Sequence, residues 1–288
     1  MTVSRISAPP PSALTVRSSV HGAQIPLIGL GTGGLGDDCG AIVAAALAAG
    51  YRHIDTARKY DTERGVGEAI RAARVRRDEI FLTTKVSHEH LHAGDFERST
   101  LASLRALGLD RVDLLLVHWP APDMPLAETM GALAAMKRRG FTRHVGVANF
   151  NIALLDEAIR LCPEPLVALQ AEYHPYLDQS KLLQACRRHG LVFIAYCPLA
   201  RGRLIRDPVI GEIARAKGKT SAQIALRWLI QQDDVVAIPR SASTARVGQN
   251  IDVLGFALDE DEMRRVTAPK RPDGRVVNPV GRIAAWDA

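Results

Sequence analysis

Val112-Asp113-Leu114-Leu115-Leu116-Val117-His118 is apolar at successive positions, Asp113 aside, and ends on an imidazole. A strand that is apolar on both faces must be covered on both faces, as happens in a parallel sheet flanked by helices. Working outward, β-branched or apolar runs of the same kind recur at 27–31, 53–55, 81–85, 144–148, 167–172, 192–196 and 235–238, which with 112–118 makes eight predicted strands. Helical periodicity fills the gaps over 39–49, 63–73, 96–107, 126–139, 153–161, 181–189, 209–216 with 221–231, and 245–250. Thr220-Ser221 gives an N-terminal signal, and Gly50, Gly108 and Gly190 close helices.

Strand and helix in strict alternation define an α/β fold, either an open doubly wound sheet or a closed barrel, and eight units favour a single-domain (β/α)8 TIM barrel. A His21-Gly22 turn inside 14–25 suits an N-terminal β-hairpin, and a C-terminal loop is expected from about Lys270. No linker rich in Gly, Ser or Pro interrupts 27–258, so 14–288 is expected to be one barrel, with 1–13 a flexible N-terminal tail.

The 288 residues, 47% hydrophobic and 24% charged, can bury about three quarters of their unfolded surface and exclude disorder, collagen and coiled coil. The longest apolar run, 41–49, falls far short of the roughly eighteen residues of a membrane span, and 1–13 lacks the continuous apolar region of a signal peptide. Cysteines at 39, 162, 186 and 197 show neither metal-ligand spacing nor disulfide density, so a reducing cytoplasm and no metal are expected. The formal charge of +6 invites a nucleic-acid reading. Yet Lys137, Arg138 and Arg139 precede Gly140, Arg187, Arg188 and His189 precede Gly190, and Lys217 precedes Gly218, which is where helix ends favour cations. The expected partner is a small molecule, with no nucleic acid, no membrane and a monomeric state.

Gly29-Leu30-Gly31-Thr32-Gly33-Gly34 matches G-x-G-x-x-G, with Asp55 placed 21 residues beyond Gly34. In an open sheet these residues would bind a dinucleotide in a dehydrogenase or a methyltransferase. Here the next helix is predicted to begin only after Gly36-Asp37-Asp38, too late to present its N-terminus to a phosphate, and seven more strands follow.

In a parallel barrel the reacting groups come from the C-terminal ends of strands, here Asp55, Lys85, His118, Asn149, Gln170, Glu172 and Tyr196. Ionisable groups at the tips of apolar strands are costly to bury unless paired. Singly, a histidine ending a strand reads as a hydrogen-bonded structural residue and an Asp-Lys pair as a structural ion pair. Asp55, Lys85 and His118 together point to chemistry.

Asp55-Thr56-Ala57-Arg58-Lys59-Tyr60, Lys85 at a strand end and the 112–118 run continuing into Trp119-Pro120 resemble the aldo-keto reductases. So do Gly146-Val147-Ala148-Asn149-Phe150, Gln170-Ala171-Glu172-Tyr173-His174-Pro175, Ala195-Tyr196-Cys197-Pro198-Leu199 and Ile238-Pro239-Arg240-Ser241, so that the resemblance spans residues 14–288. It implies a barrel that reduces aldehydes or ketones to alcohols with NADP(H). Tyr60 would be the proton donor, Lys85 and Asp55 would tune it, with Lys85 lowering the phenol pKa, and His118 would orient the carbonyl beside Trp119. Tyr196 would stack on the nicotinamide while Asn149 and Gln170 hold its carboxamide. Arg240, Ser241 and Arg246 would grip the adenosine phosphate, and Gln249 and Asn250 would meet adenine. Gly31, Thr32, Asp55, Leu199, Arg203 and Ile238 complete the implied cofactor set. Guanidinium groups match phosphate oxygens in bidentate fashion, so NADPH is expected over NADH.

The chain departs from the family pattern at Ala148, Arg240 and Gln249, where many members carry Ser, Lys and Glu, and at Gly33 and Thr62, where Trp and Asn are frequent. One nicotinamide hydrogen bond is thus missing, and the carbonyl pocket is expected to be wider or less apolar. Trp286 in the tail is expected either to cover the mouth or to anchor the terminus. A non-enzymatic barrel that binds the cofactor as a sensor is the other class, but it would not need Asp55, Tyr60, Lys85 and His118 together.

Overall fold

The structure is a computed structural model that describes residues 16–271, 273–279, 286 and 287; the expected tail over 1–13 lies outside them. The described residues begin with an antiparallel hairpin, β1 Val16–Ser18 against β2 Gln24–Pro26, turned at Gly22 with φ +84°. Eight parallel strands follow in sequential order among the described residues. They are β3 Leu30–Gly31, β4 His53–Asp55, β5 Phe81–Val86, β6 Val112–Val117, β7 Thr142–Ala148, β8 Leu166–Glu172, β9 Val192–Tyr196 and β10 Val235–Ala237.

The barrel closes where β10 meets the segment before β3: Gly29 N donates to Ala237 O at 2.9 Å, Ala237 N to Leu27 O at 2.9 Å and Gly31 N to Pro239 O at 3.0 Å. The expected first strand over 27–31 is therefore shorter as a ladder to β4, because Leu27 to Gly29 bond to the β10 side instead. Gly29 is required by close packing: a Cβ there would lie 2.7 Å from His53 Nδ1 and 2.9 Å from Ile238 Cγ2.

The two apolar faces of β6 face different cores. Leu114 and Leu116 join Val192, Ile194, Val236 and Ile238 inside the barrel, where the hairpin supplies Ala23 and Ile25 as a plug. Leu115 and Val117 face the helical layer. That layer comprises α1 Cys39–Ala48, α2 Glu63–Ala72, α3 Ala93–Leu107, α4 Leu126–Arg138, α5 Ile152–Leu161, α6 Ser180–Arg188, α7 Pro208–Lys217, α8 Ser221–Gln231, α9 Thr244–Ile251 and α10 Glu260–Thr267. Thr220 and Gln223 form a reciprocal capping box on α8. Helix α10 lies beyond the predicted set; its start is fixed by a second capping box between Asp259 and Glu262.

The glycines after β3 do not build a dinucleotide fingerprint: Leu35 N bonds back to Thr32 O at 3.2 Å, and a 3-10 turn at Gly36–Asp38 precedes α1. The C-terminal segment returns across the strand ends, with Asp178 N bonded to Arg271 O at 3.0 Å. Among the described residues no helix is long and apolar enough to cross a membrane.

Candidate active site

Asp55 ends β4 and Lys85 is the last residue but one of the adjacent β5, and their side chains meet at the C-terminal rim. Lys85 Nζ donates to Asp55 Oδ1 at 2.5 Å and to Thr56 O at 2.9 Å, with the lysine side chain fully buried. Tyr60 reaches the same point from a 3-10 turn, Arg58–Tyr60, which the left-handed Asp61 (φ +55°) closes. Its ring centroid lies 5.1 Å from Lys85 Nζ, and its Oη lies 3.3 Å from His118 Nε2. The four side chains singled out from sequence therefore converge.

Burial raises the Tyr60 pKa above its ordinary 10, against the pull of Lys85 in the opposite direction. Lys85 acts on the phenol in the expected direction, and desolvation outweighs it, so the net shift is upward. For Lys85, burial alone would disfavour the ammonium, yet Asp55 and Tyr60 beside it raise its pKa above 10.5. At neutral pH the pair is thus a protonated phenol next to an ammonium.

A second hydrogen-bonded layer attaches to these groups. Gln170 Nε2 donates to Asp55 Oδ2 at 2.8 Å, Asn149 Nδ2 to His118 O at 2.9 Å and Tyr196 Oη to Asn149 Oδ1 at 2.7 Å. Asn149 adopts φ +63°, and its amide N–H bonds Gln170 O at 2.8 Å. Thr32 Oγ1 donates to Asp55 O at 3.1 Å. Gly31 and Ile238 lie at the closing seam, where a Cβ on Gly31 would stand 3.1 Å from Ile238 O.

The residues implied for the adenosine end form a separate group. Arg240 Nη2 donates to Gly34 O, and Ser241 Oγ accepts from Ser243 N at 3.1 Å. Arg246, Gln249 and the buried Asn250 sit on α9, whose first turn is capped by Ser243. Leu199 is half-buried, and Arg203 is exposed in the 3-10 segment Ala200–Arg206. Ala148 is buried at the end of β7 and brings no polar side-chain atom.

Trp119 is buried and meets Trp286 edge-on with ring centroids 6.1 Å apart. Trp286 is held by Nε1 donating to Asn278 Oδ1 at 2.9 Å, and Asp287 Oδ2 accepts from Ile152 N at 2.9 Å. The tail is also tied to Glu172, a fully buried carboxylate that accepts from Val276 N and Val277 N and pairs electrostatically with Arg275 at 3.9 Å. Glu172 was visible as a strand-end residue, but no motif in the sequence joins it to Arg275.

The family model described as the aldo/keto reductase family matches residues 27–270. The chain is 42% identical over 241 residues to an aldo-keto reductase of Mycolicibacterium smegmatis, covering 83% of this chain and 85% of the relative. It is 38% identical over 267 residues to the methylglyoxal reductase DkgB of Escherichia coli O157:H7, covering 91% and 99%. A solved structure provisionally assigned as a 2,5-diketo-D-gluconic acid reductase B superposes with a TM-score of 0.92 at 44% identity, over 96% of this chain and 99% of that one. The aldo-keto reductase AKR2E5, solved as a complex with NADPH, gives a TM-score of 0.85 at 31% identity over 92% and 90%.

Proposed function

The chain belongs to the aldo/keto reductase family, and from that membership we propose that it reduces small aldehydes or ketones with Tyr60 as the general acid, as a cytoplasmic monomer. It is an oxidoreductase acting on carbonyl groups with NADP(H) as cofactor. The donor set fits that cofactor: two amides, Asn149 and Gln170, suit a carboxamide, the half-buried Tyr196 offers a ring face, and the exposed Arg240 and Arg246 suit a phosphate. When bound, NADPH supplies the hydride.

The chain's own residues supply the proton and the field. Tyr60 Oη donates its proton to the carbonyl oxygen as negative charge grows there, and His118 offers a second hydrogen bond to the same oxygen. The Lys85 ammonium stabilises the phenolate left behind, and Asp55 holds Lys85 charged and in place. The observation that supports this most directly is the 3.3 Å contact of Tyr60 Oη with His118 Nε2, backed by the buried Lys85-Asp55 pair.

The test is consumption of NADPH against a panel of aldehydes, ketones and keto sugars that includes methylglyoxal, beside the same panel with NADH. Carbonyl-dependent oxidation is expected, with NADPH preferred. No turnover with any carbonyl would sink the assignment, and equal use of NADH would remove Arg240 and Arg246 from phosphate recognition.

A further inference from the structure

Thr62 lies two residues beyond Tyr60, and three buried hydroxyls meet at its side chain. Its Oγ1 is 3.2 Å from Thr32 Oγ1 and 3.1 Å from Thr56 Oγ1, and none of the three threonines is more than 2% exposed. A hydroxyl has one proton to give. Thr32 Oγ1 gives its own to Asp55 O at 3.1 Å, so Thr62 must donate to Thr32, and Thr56 must donate to Thr62. Every proton in the cluster then has one acceptor, and the direction of each bond is fixed.

The cluster joins the segment that carries Tyr60 to the residues that hold Lys85. Lys85 Nζ donates to Asp55 Oδ1 and to Thr56 O, and Thr32 binds Asp55 O through its N–H at 3.0 Å as well as through its hydroxyl. Immediately after Thr62, Glu63 Oε1 accepts from Thr84 Oγ1 at 2.6 Å, which fixes the start of α2 to β5 beside Lys85. Between these ties only Tyr60 and the left-handed Asp61 are left to adjust. Gly33 brings no side chain against the Tyr60 ring, where a Cβ would stand 3.4 Å from Cζ. The place of the ring therefore depends on the backbone to which Thr62 is attached.

We propose that Thr62 is a positioning residue whose hydroxyl ties the Tyr60 turn to the Asp55-Thr56 backbone and so sets Tyr60 Oη against Lys85 and His118 for proton donation; this rests on the carbonyl-reduction proposal above. A hydrogen-bonded cluster fixes both distance and direction, which an apolar contact does not.

The experiment uses Thr62→Val, which keeps the side-chain shape and removes the acceptor of Thr56, beside Thr62→Ser, which keeps the hydroxyl. For the carbonyl that the unaltered protein reduces fastest in the panel above, Thr62→Val should lower kcat about tenfold, with KM and the NADPH dissociation constant changed by less than about twofold. The solvent deuterium isotope effect on kcat should rise, because transfer of the Tyr60 proton then limits turnover more fully. Thr62→Ser should recover most of the rate. A folded Thr62→Val with kcat within about twofold of the unaltered protein overturns the proposal whatever its unfolding midpoint, as does a loss confined to KM or to NADPH binding. An unchanged isotope effect also overturns it, and so does a Thr62→Ser as slow as Thr62→Val. Should Thr62→Val not fold, Thr56→Val removes the same bond from its other side and is held to the same criteria. If the unaltered protein reduces carbonyls and Thr62→Val matches it, the positioning proposal fails alone. If it reduces none with NADPH, the carbonyl-reduction proposal fails and this one falls with it.

Discussion

His53 and His118 are both buried imidazoles at the ends of barrel strands, yet they stand at opposite ends. His53 opens β4, with Nε2 3.3 Å from Thr83 Oγ1 and its ring edge-on to Phe81 at 5.3 Å. Burial pushes its pKa down to about 4, against the opposing pull of Asp55. His118 follows β6 and faces the Tyr60 hydroxyl instead. Their difference comes from strand direction: the first end is plugged by Ala23 and Ile25 of the hairpin, while the second is lined by loops and the returning tail. A histidine near an apolar strand therefore means little until its end of the sheet is known.

The sharpest way to break this contrast is Tyr60→Phe, which removes the partner of His118 and nothing at the plugged end. Carbonyl reduction should fall by about 10³-fold while NADPH still binds by fluorescence titration. Turnover equal to that of the unaltered protein would take Tyr60 out of the mechanism.

His53 predicts a pH effect at the other end. The unfolded chain titrates this group near 6.5 and the folded chain near 4, so as pH falls through that window only the unfolded state takes up the proton. Stability is fully present above pH 6.5 and is lost down to pH 4, by about 3 kcal/mol from this residue. Urea unfolding of the unaltered protein and His53→Asn at both pH values measures it; identical losses in the two would show that His53 does not carry the effect.

The smallest expected effect sets two glycines against each other. Gly29→Ala places a methyl group 2.7 Å from His53 and 2.9 Å from Ile238, and should cost about 2 kcal/mol in unfolding free energy. Gly33→Ala meets Tyr60 Cζ at 3.4 Å, an ordinary contact, and should leave the unfolding midpoint nearly unchanged. Equal costs would mean that the plugged end is no more tightly packed than the site.

Most of the barrel was legible because its strands are apolar on both faces and its helices are periodic: β4, β9 and α8 fall on the expected residues. The first strand was read too long because its pairing is shared between β4 and β10, and sequence periodicity does not say which neighbour a residue bonds. Helix α10 was missed although Asp259 and Glu262 carry the capping signal, since Glu260-Asp261-Glu262 gave no apolar stripe to draw the eye. The site was legible where family motifs bring Asp55, Tyr60, Lys85 and His118 together. The pairing of Arg275 with Glu172 was not, because the two are related only through the fold. The Tyr60 pKa direction was also hidden, since it depends on how much water burial removes rather than on which charges are near.

The seam between Gly29 and Ala237 joins residues 208 positions apart. During synthesis at roughly 5–20 residues per second, on the order of ten to forty seconds separate the emergence of one edge from that of its mate. Until then the nascent chain carries an open, unpaired sheet edge, the kind of surface that invites aggregation and chaperone capture. Ring completion thus waits on the emergence of β10, after which only α9, α10 and the tail remain to be added.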